Sequence, residues 1–196
     1  MRNLLYLIIF FFIAINVSNA QVLFSEDFEN GGTMPAGWVL VPGTGDDWAI
    51  DTGNSYGPGT AQSGTYCAYF DDYNYSSGTQ AVMAYPINIS SSSSGDELIL
   101  SYYYWDSSGS DVVIVGVSTD GVTYTNVDTT AAAVASWTEH IVDLSAYAGN
   151  TTLYLGFFGQ SVYGFTNPHV DNITLTLTPQ VANDLATVDM DYPTSG

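Results

Sequence analysis

Positive charge is almost absent from this sequence. Of 196 residues, one is a Lys or Arg, one is a cysteine and two are histidines, against 20 Asp and Glu. The lone cation is Arg2, so the chain beyond it carries no Lys or Arg at all. Nothing in such a chain can neutralise phosphates, which excludes nucleic acid as a partner. Attraction to an anionic membrane surface fails for the same reason. A carboxylate here cannot find a Lys or Arg of its own chain. If buried or clustered, it must be protonated, hydrogen-bonded or held by a metal cation. A single cysteine rules out an intrachain disulfide, and Cys67 reads as a small apolar residue on a strand. The chain also lacks a G-x-S-x-G elbow, an H-E-x-x-H pair and a Gly-rich phosphate loop. The histidines, His140 and His169, are isolated in sequence. Paired acids could in principle run glycoside hydrolysis. Asp46-Asp47 and Asp71-Asp72, however, sit in turn-like segments, where Asp commonly bonds its own backbone. Catalysis by this region is not expected.

What is present begins with a leader. Arg2 and Asn3 precede an unbroken apolar run from Leu4 to Ile15, and Ser18-Asn19-Ala20 supplies small residues before Gln21. The run is too short to span about 30 Å of hydrocarbon comfortably, and the pattern is that of a signal peptide over 1–20. The reading is therefore of a secreted or cell-surface protein with no membrane insertion after cleavage. No later stretch could span a bilayer. Period-2 alternation dominates the rest, rich in Val, Ile, Thr, Tyr and Phe. It predicts strands at 22–28, 38–41, 47–50, 66–70, 80–89, 97–105, 111–119, 123–127, 137–144, 151–158 and 169–177. Asp120-Gly121 reads as a two-residue hairpin turn. Many short antiparallel strands with regular punctuation indicate an all-β sandwich, most simply a jelly roll. Three loops rich in Gly, Ser, Asp and Tyr stand out, at 51–64, 71–78 and 159–168, and loops on a rigid sandwich commonly carry function. The sandwich is expected over 21–178. The segment 179–196 reads as a linker and the opening of a further, Ig-like domain, which makes this the leading part of a longer protein.

Several motifs occur in a recognisable order. FSEDFENGGTMPAGW spans 24–38, Asp47-Trp48 follows, and VSTDGVTY spans 117–124. Trp137 leads to Val142-Asp143-Leu144-Ser145 and Tyr147-Ala148-Gly149, and Val170-Asp171-Asn172-Ile173 closes the series. Over about 22–178 the chain resembles the gingipain cleaved-adhesin domain and its choice-of-anchor J or MAM-like jelly-roll relatives from secreted Bacteroidetes proteins. It lacks the paired cysteines of true MAM domains. The resemblance implies a jelly roll, secretion, and roles in adhesion or substrate binding. It also implies that the opening and closing strands are antiparallel neighbours, which brings Glu26 and Glu29 near Asp171, and it adds Asp71. Converging carboxylates would repel one another, and Ca²⁺, with its 6–8 oxygen ligands, would resolve this. Zinc is disfavoured because Cys and His are so scarce. For binding, Tyr102-Tyr103-Tyr104-Trp105 lies on one strand, so the residues pair off on opposite faces. Only one pair can be in the core. Trp105, with Tyr73, Tyr75, Tyr163 and Phe165 from the loops, could form a platform for sugar rings. The expected partner is a polysaccharide or glycoprotein surface. The competing expectation is a calcium-stabilised spacer, or an accessory domain of a downstream hydrolase.

Overall fold

Along the longest strands buried and part-exposed residues alternate, and the computed structural model turns that alternation into two facing sheets. It describes residues 19–41, 48–73, 76–108, 110–130, 133–162 and 165–181. The strands are β1 (Gln21–Glu26), β2 (Val39–Val41), β3 (Trp48–Asp51), β4 (Cys67–Phe70), β5 (Gln80–Asn88), β6 (Glu97–Asp106), β7 (Val112–Ser118), β8 (Thr125–Thr129), β9 (Val134–Asp143), β10 (Thr152–Gln160) and β11 (His169–Thr178). A 3₁₀ turn, Ser145–Tyr147, follows β9. One sheet runs β3-β4-β11-β6-β9, with β1 also on β11, and the other runs β2-β5-β10-β7-β8. Every pairing is antiparallel. This is the all-β jelly-roll sandwich expected. Residues 1–18 of the leader and the segment beyond 181 lie outside the described residues. Among the described residues no helix is long and apolar enough to cross a membrane.

The core lies between the sheets. Leu98, Leu100, Tyr102 and Tyr104 of β6 and Ile173, Leu175 and Leu177 of β11 face Val113, Val115 and Val117 of β7 and Leu153, Leu155 and Phe157 of β10. The pair Tyr102 and Tyr104 therefore takes the inside. Burial of such side chains, worth about 1.5–3 kcal/mol each, is what holds a sandwich without disulfides.

β11 organises the end where the loops gather. One of its edges takes β4 at His169 and Val170 and β1 from Ile173 to Leu177. At the changeover the register shifts between Asp171 and Thr174, and Asn172 adopts φ +48°. Such a bulge twists a strand and re-aims its side chains.

The opening strand is shorter than the alternation suggested. Glu26 accepts the Phe28 N–H at 2.8 Å and the Trp38 indole N–H at 3.0 Å. Phe28, at φ +57°, then turns into the core against Trp38. The expected two-residue hairpin at Asp120-Gly121 is also corrected. Asp120 Oδ1 accepts the N–H groups of Val122 and Thr123, each at 2.8 Å, and Ser118 Oγ accepts that of Gly121 at 2.9 Å. Those donors are lost to the ladder, so β8 begins at Thr125 and the connection lengthens.

Candidate binding site

One asparagine ties the three notable loops together. Asn167 is fully buried. Its Oδ1 accepts the N–H groups of Asp72 at 3.1 Å and Tyr73 at 3.0 Å. Its Nδ2 donates to the Ser55 carbonyl at 2.9 Å and to Asp71 Oδ1 at 3.5 Å. Its backbone N–H reaches the Tyr56 carbonyl at 3.1 Å. The result is a stack of Tyr56 on Tyr73, with ring centroids 3.5 Å apart and planes 12° apart. Tyr56 is half exposed and Phe165, on the adjoining loop, is 64 % exposed. Tyr56 holds φ +52°, a strained backbone for an aromatic residue of the kind that gathers at functional sites. The sequence pointed to this loop but not to Tyr56; an aromatic flanked by Ser and Gly was the available signal. Trp105 does not join the exposed set. It is only 6 % exposed and packs edge-on against His169, 5.8 Å between centroids. Tyr75 and Tyr163 lie outside the described residues.

A second aromatic surface runs across the outer face of the other sheet. Gly116 and Gly156 stand directly opposite each other on β7 and β10. A Cβ on Gly156 would come 2.8 Å from the Phe158 ring and 3.0 Å from Tyr124. The two glycines thus form a floor on which these rings lie, packed edge to face at 5.1 Å. On either side are hollows of about 370 Å³, walled by Val39, Val41, Tyr85 and Tyr154, and about 210 Å³, walled by Gln80, Asn126 and Gln160. Tyr124, Tyr154 and Phe158 are all half-buried. Half-presented rings with amide groups at the rim match what a sugar offers, an apolar face and a hydroxylated edge. Sequence reasoning missed this surface, because Gly116 and Gly156 become neighbours only through the β7–β10 register.

The acidic residues fall into two sets. β1 does lie antiparallel to β11, and Glu26 is opposite Ile173. Glu29 Oε1 accepts the N–H groups of Thr65 and Tyr66 at 2.6 and 2.7 Å. Asp171 Oδ2 accepts those of Gln62 and Ser63 at 2.9 and 3.2 Å, and its Oδ1 that of Asn172 at 2.7 Å. Burial pushes Asp171 up to about 6, the three N–H groups opposing it and the Glu29 charge adding to it. Glu26, Glu29 and Asp171 thus bind backbone and indole donors, while Asp71 is held by Asn167. The four are not drawn to one point. Among the described residues, the one set of three His, Cys, Asp or Glu donors lying within 4.8 Å of each other is Asp51, Cys67 and His169.

The second set is only partly met by donors: Thr166 Oγ1 donates to Asp106 Oδ1 and the Val162 N–H to Asp111 Oδ1. Asp72, Asp106 and Asp111 are fully buried. Both Asp72 oxygens, Asp106 Oδ2, Asp111 Oδ2 and the nearby Ser161 Oγ find no hydrogen-bond partner. Burial, then Asp111 and Asp106, push Asp72 up to about 9. Burial pushes Asp106 up to about 7, with Thr166 opposing it and the Asp111 charge adding to it.

The geometry defines a class, a jelly-roll domain with an aromatic sheet face and a loop end, and comparison with solved structures gives it particular counterparts. The K3 cleaved adhesin domain of Lys-gingipain from Porphyromonas gingivalis superposes with a TM-score of 0.60 at 18 % identity, covering 81 % of this chain and 99 % of that one. The CBM22-1 xylan-binding domain of Xyn10C from Paenibacillus barcinonensis gives 0.55 at 13 %, covering 85 % and 100 %. A Stig cyclase, Fisc, from Fischerella sp. TAU gives 0.58 at 16 %, covering 83 % and 100 %. Neither a family model nor a curated protein matches this chain. The resemblance to the cleaved-adhesin fold is borne out. Since adhesin, carbohydrate-binding and cyclase domains all share it, function must be argued from the site.

Proposed function

We propose that this chain is a non-catalytic extracellular binding module for a polysaccharide or a glycosylated surface. The observation that carries the reading is the open floor of Gly116 and Gly156 with the rings of Tyr124 and Phe158 lying on it. A sugar unit stacks on these rings, with Gln80, Asn126 and Gln160 placed for its hydroxyls. Tyr56, Tyr73 and Phe165 offer a second contact at the loop end. The adhesin and xylan-binding counterparts support this class of function. A pull-down of the protein on insoluble xylan, galactan, cellulose and mucin, with a glycan array beside it, tests the reading. Retention reduced by Tyr124→Ala and Phe158→Ala supports it. No retention on any support, with calcium present, gives way to a structural spacer.

The spacer reading is favoured by a different observation, the carboxylate oxygens of Asp72, Asp106 and Asp111 that no donor meets. Calcium would supply the missing charge and accept hard oxygen ligands there. Glu26, Glu29, Asp71 and Asp171, which calcium would have to draw together, are the alternative set. Thermal melts in chelator and in millimolar calcium, on Asp111→Ala and Asp171→Ala, separate the two sets by which variant loses the calcium response.

A further inference from the structure

The only cysteine, a histidine and an aspartate come together although each stands alone in the sequence. Asp51 is opposite Cys67 in the β3–β4 register, and His169 is opposite Tyr69, two residues beyond Cys67, in the β4–β11 register. Side chains two apart on a strand share a face. Ala68 and Phe70 belong to the core, so Asp51, Cys67 and His169 lie together on the outer face. The loop after β3 covers them. A Cβ on Gly57 would stand 2.5 Å from His169 Nε2 and 2.6 Å from the Gly53 carbonyl oxygen, so both atoms border the same spot.

The imidazole is set up as a ligand. Its Nδ1 lies 2.7 Å from the Asn167 carbonyl oxygen, which can only accept, so the proton is on Nδ1 and Nε2 carries a lone pair. His169 is fully buried and Nε2 has no hydrogen-bond partner. It lies 3.7 Å from Asp51 Oδ1, and Cys67 Sγ lies 3.9 Å from the same oxygen. Tetrahedral zinc, with bonds of about 2.0–2.3 Å, separates its ligand atoms by about 3.3–3.6 Å, so these two separations are within a few tenths of an ångström, and all three atoms already lie within 4.8 Å of one another. Backbone orientation of the distal imidazole nitrogen is the usual support for a metal-bound histidine.

We propose that Asp51, Cys67 and His169 form a site for one divalent metal ion of the zinc class, bound through Asp51 Oδ1, Cys67 Sγ and His169 Nε2. The mixed sulfur, nitrogen and oxygen donors select zinc over calcium, which prefers oxygen alone. Binding deprotonates the thiol, and thiolate and carboxylate together neutralise the dication. Without metal, burial and the Asp51 and Asp171 charges push the thiol pKa up, which leaves Cys67 an inert thiol. The metal joins three neighbouring strands, β3, β4 and β11, beneath the loop that carries Tyr56.

The test uses the whole protein refolded from urea in metal-free buffer containing either Co²⁺ or Zn²⁺. The expected result is one metal per chain and a thiolate-to-cobalt charge-transfer band. Cys67→Ser should lose the band, and His169→Asn should weaken zinc binding at least tenfold. A refolded wild-type protein showing no such band, or a zinc-induced rise in Tm that Cys67→Ser retains in full, overturns the proposal.

Discussion

Asn167 shows how one side chain can set a surface. Its amide oxygen meets two backbone N–H groups and its amide nitrogen a carbonyl, all from loops distant in sequence. Asn167→Ala leaves those groups without partners, a cost of about 1–3 kcal/mol. That corresponds to a Tm lower by roughly 2–10 °C for a domain of this size. Near-UV circular dichroism should report loss of the Tyr56–Tyr73 stack at temperatures where the fold persists. The buried acids make a second prediction at this scale. Asp72 and Asp106 would ionise near 3.8 when unfolded, but not until about 9 and about 7 when folded. Between those limits the native state holds more protons than the unfolded one, so stability falls as pH rises. Asp51 works the other way. Against its burial, the N–H groups of Gly53 and Ser55 and the nearby His169 imidazole hold it well below the usual range, so its contribution is lost only in strong acid. Melts in chelator should therefore give a higher Tm at pH 5 than at pH 8. An equal or higher Tm at pH 8 contradicts the account of uncompensated burial.

At the level of strands, the elements were legible, and with them two of the pairings, β1 with β11 through the family resemblance and β7 with β8 through the turn. All eleven strands lie where period-2 alternation put them, because a half-buried strand must alternate whatever it pairs with. Their ends were less legible. Glu26, Ser118 and Asp120 capture backbone N–H groups locally, and such side-chain capture leaves no mark on the hydrophobic pattern. Register was not legible at all, and both candidate sites depend on it. The Gly116–Gly156 floor and the Asp51–Cys67–His169 cluster are made by pairings between strands far apart in sequence. The scarcity of Cys and His argued against zinc, yet the fold sets the one cysteine beside a histidine. Gly156→Val tests the floor. The added side chain must displace Phe158 or Tyr124, so glycan retention should fall while far-UV circular dichroism keeps its β signature. Unchanged retention would remove the floor from the binding account.

Seen whole, the molecule is an anionic sandwich with an aromatic sheet face on one side and clasped loops at one end. Export is expected to leave Gln21, the first residue of β1, at the mature N-terminus, and mass spectrometry of the secreted protein checks this. With no Lys or Arg beyond Arg2, attraction to a polyanion is excluded. Binding to neutral sugar rings should accordingly depend little on salt, whereas a charge-driven contact weakens steeply. The central claim is that the Tyr124–Phe158 surface stacks a sugar chain. Titration of soluble xylan and galactan into the wild type and into Tyr124→Ala/Phe158→Ala, followed by calorimetry at low and high salt, measures it most directly. The account predicts saturable, salt-insensitive binding to at least one polysaccharide, weakened tenfold or more by the double substitution. Equal affinity in the wild type and the double variant would contradict it.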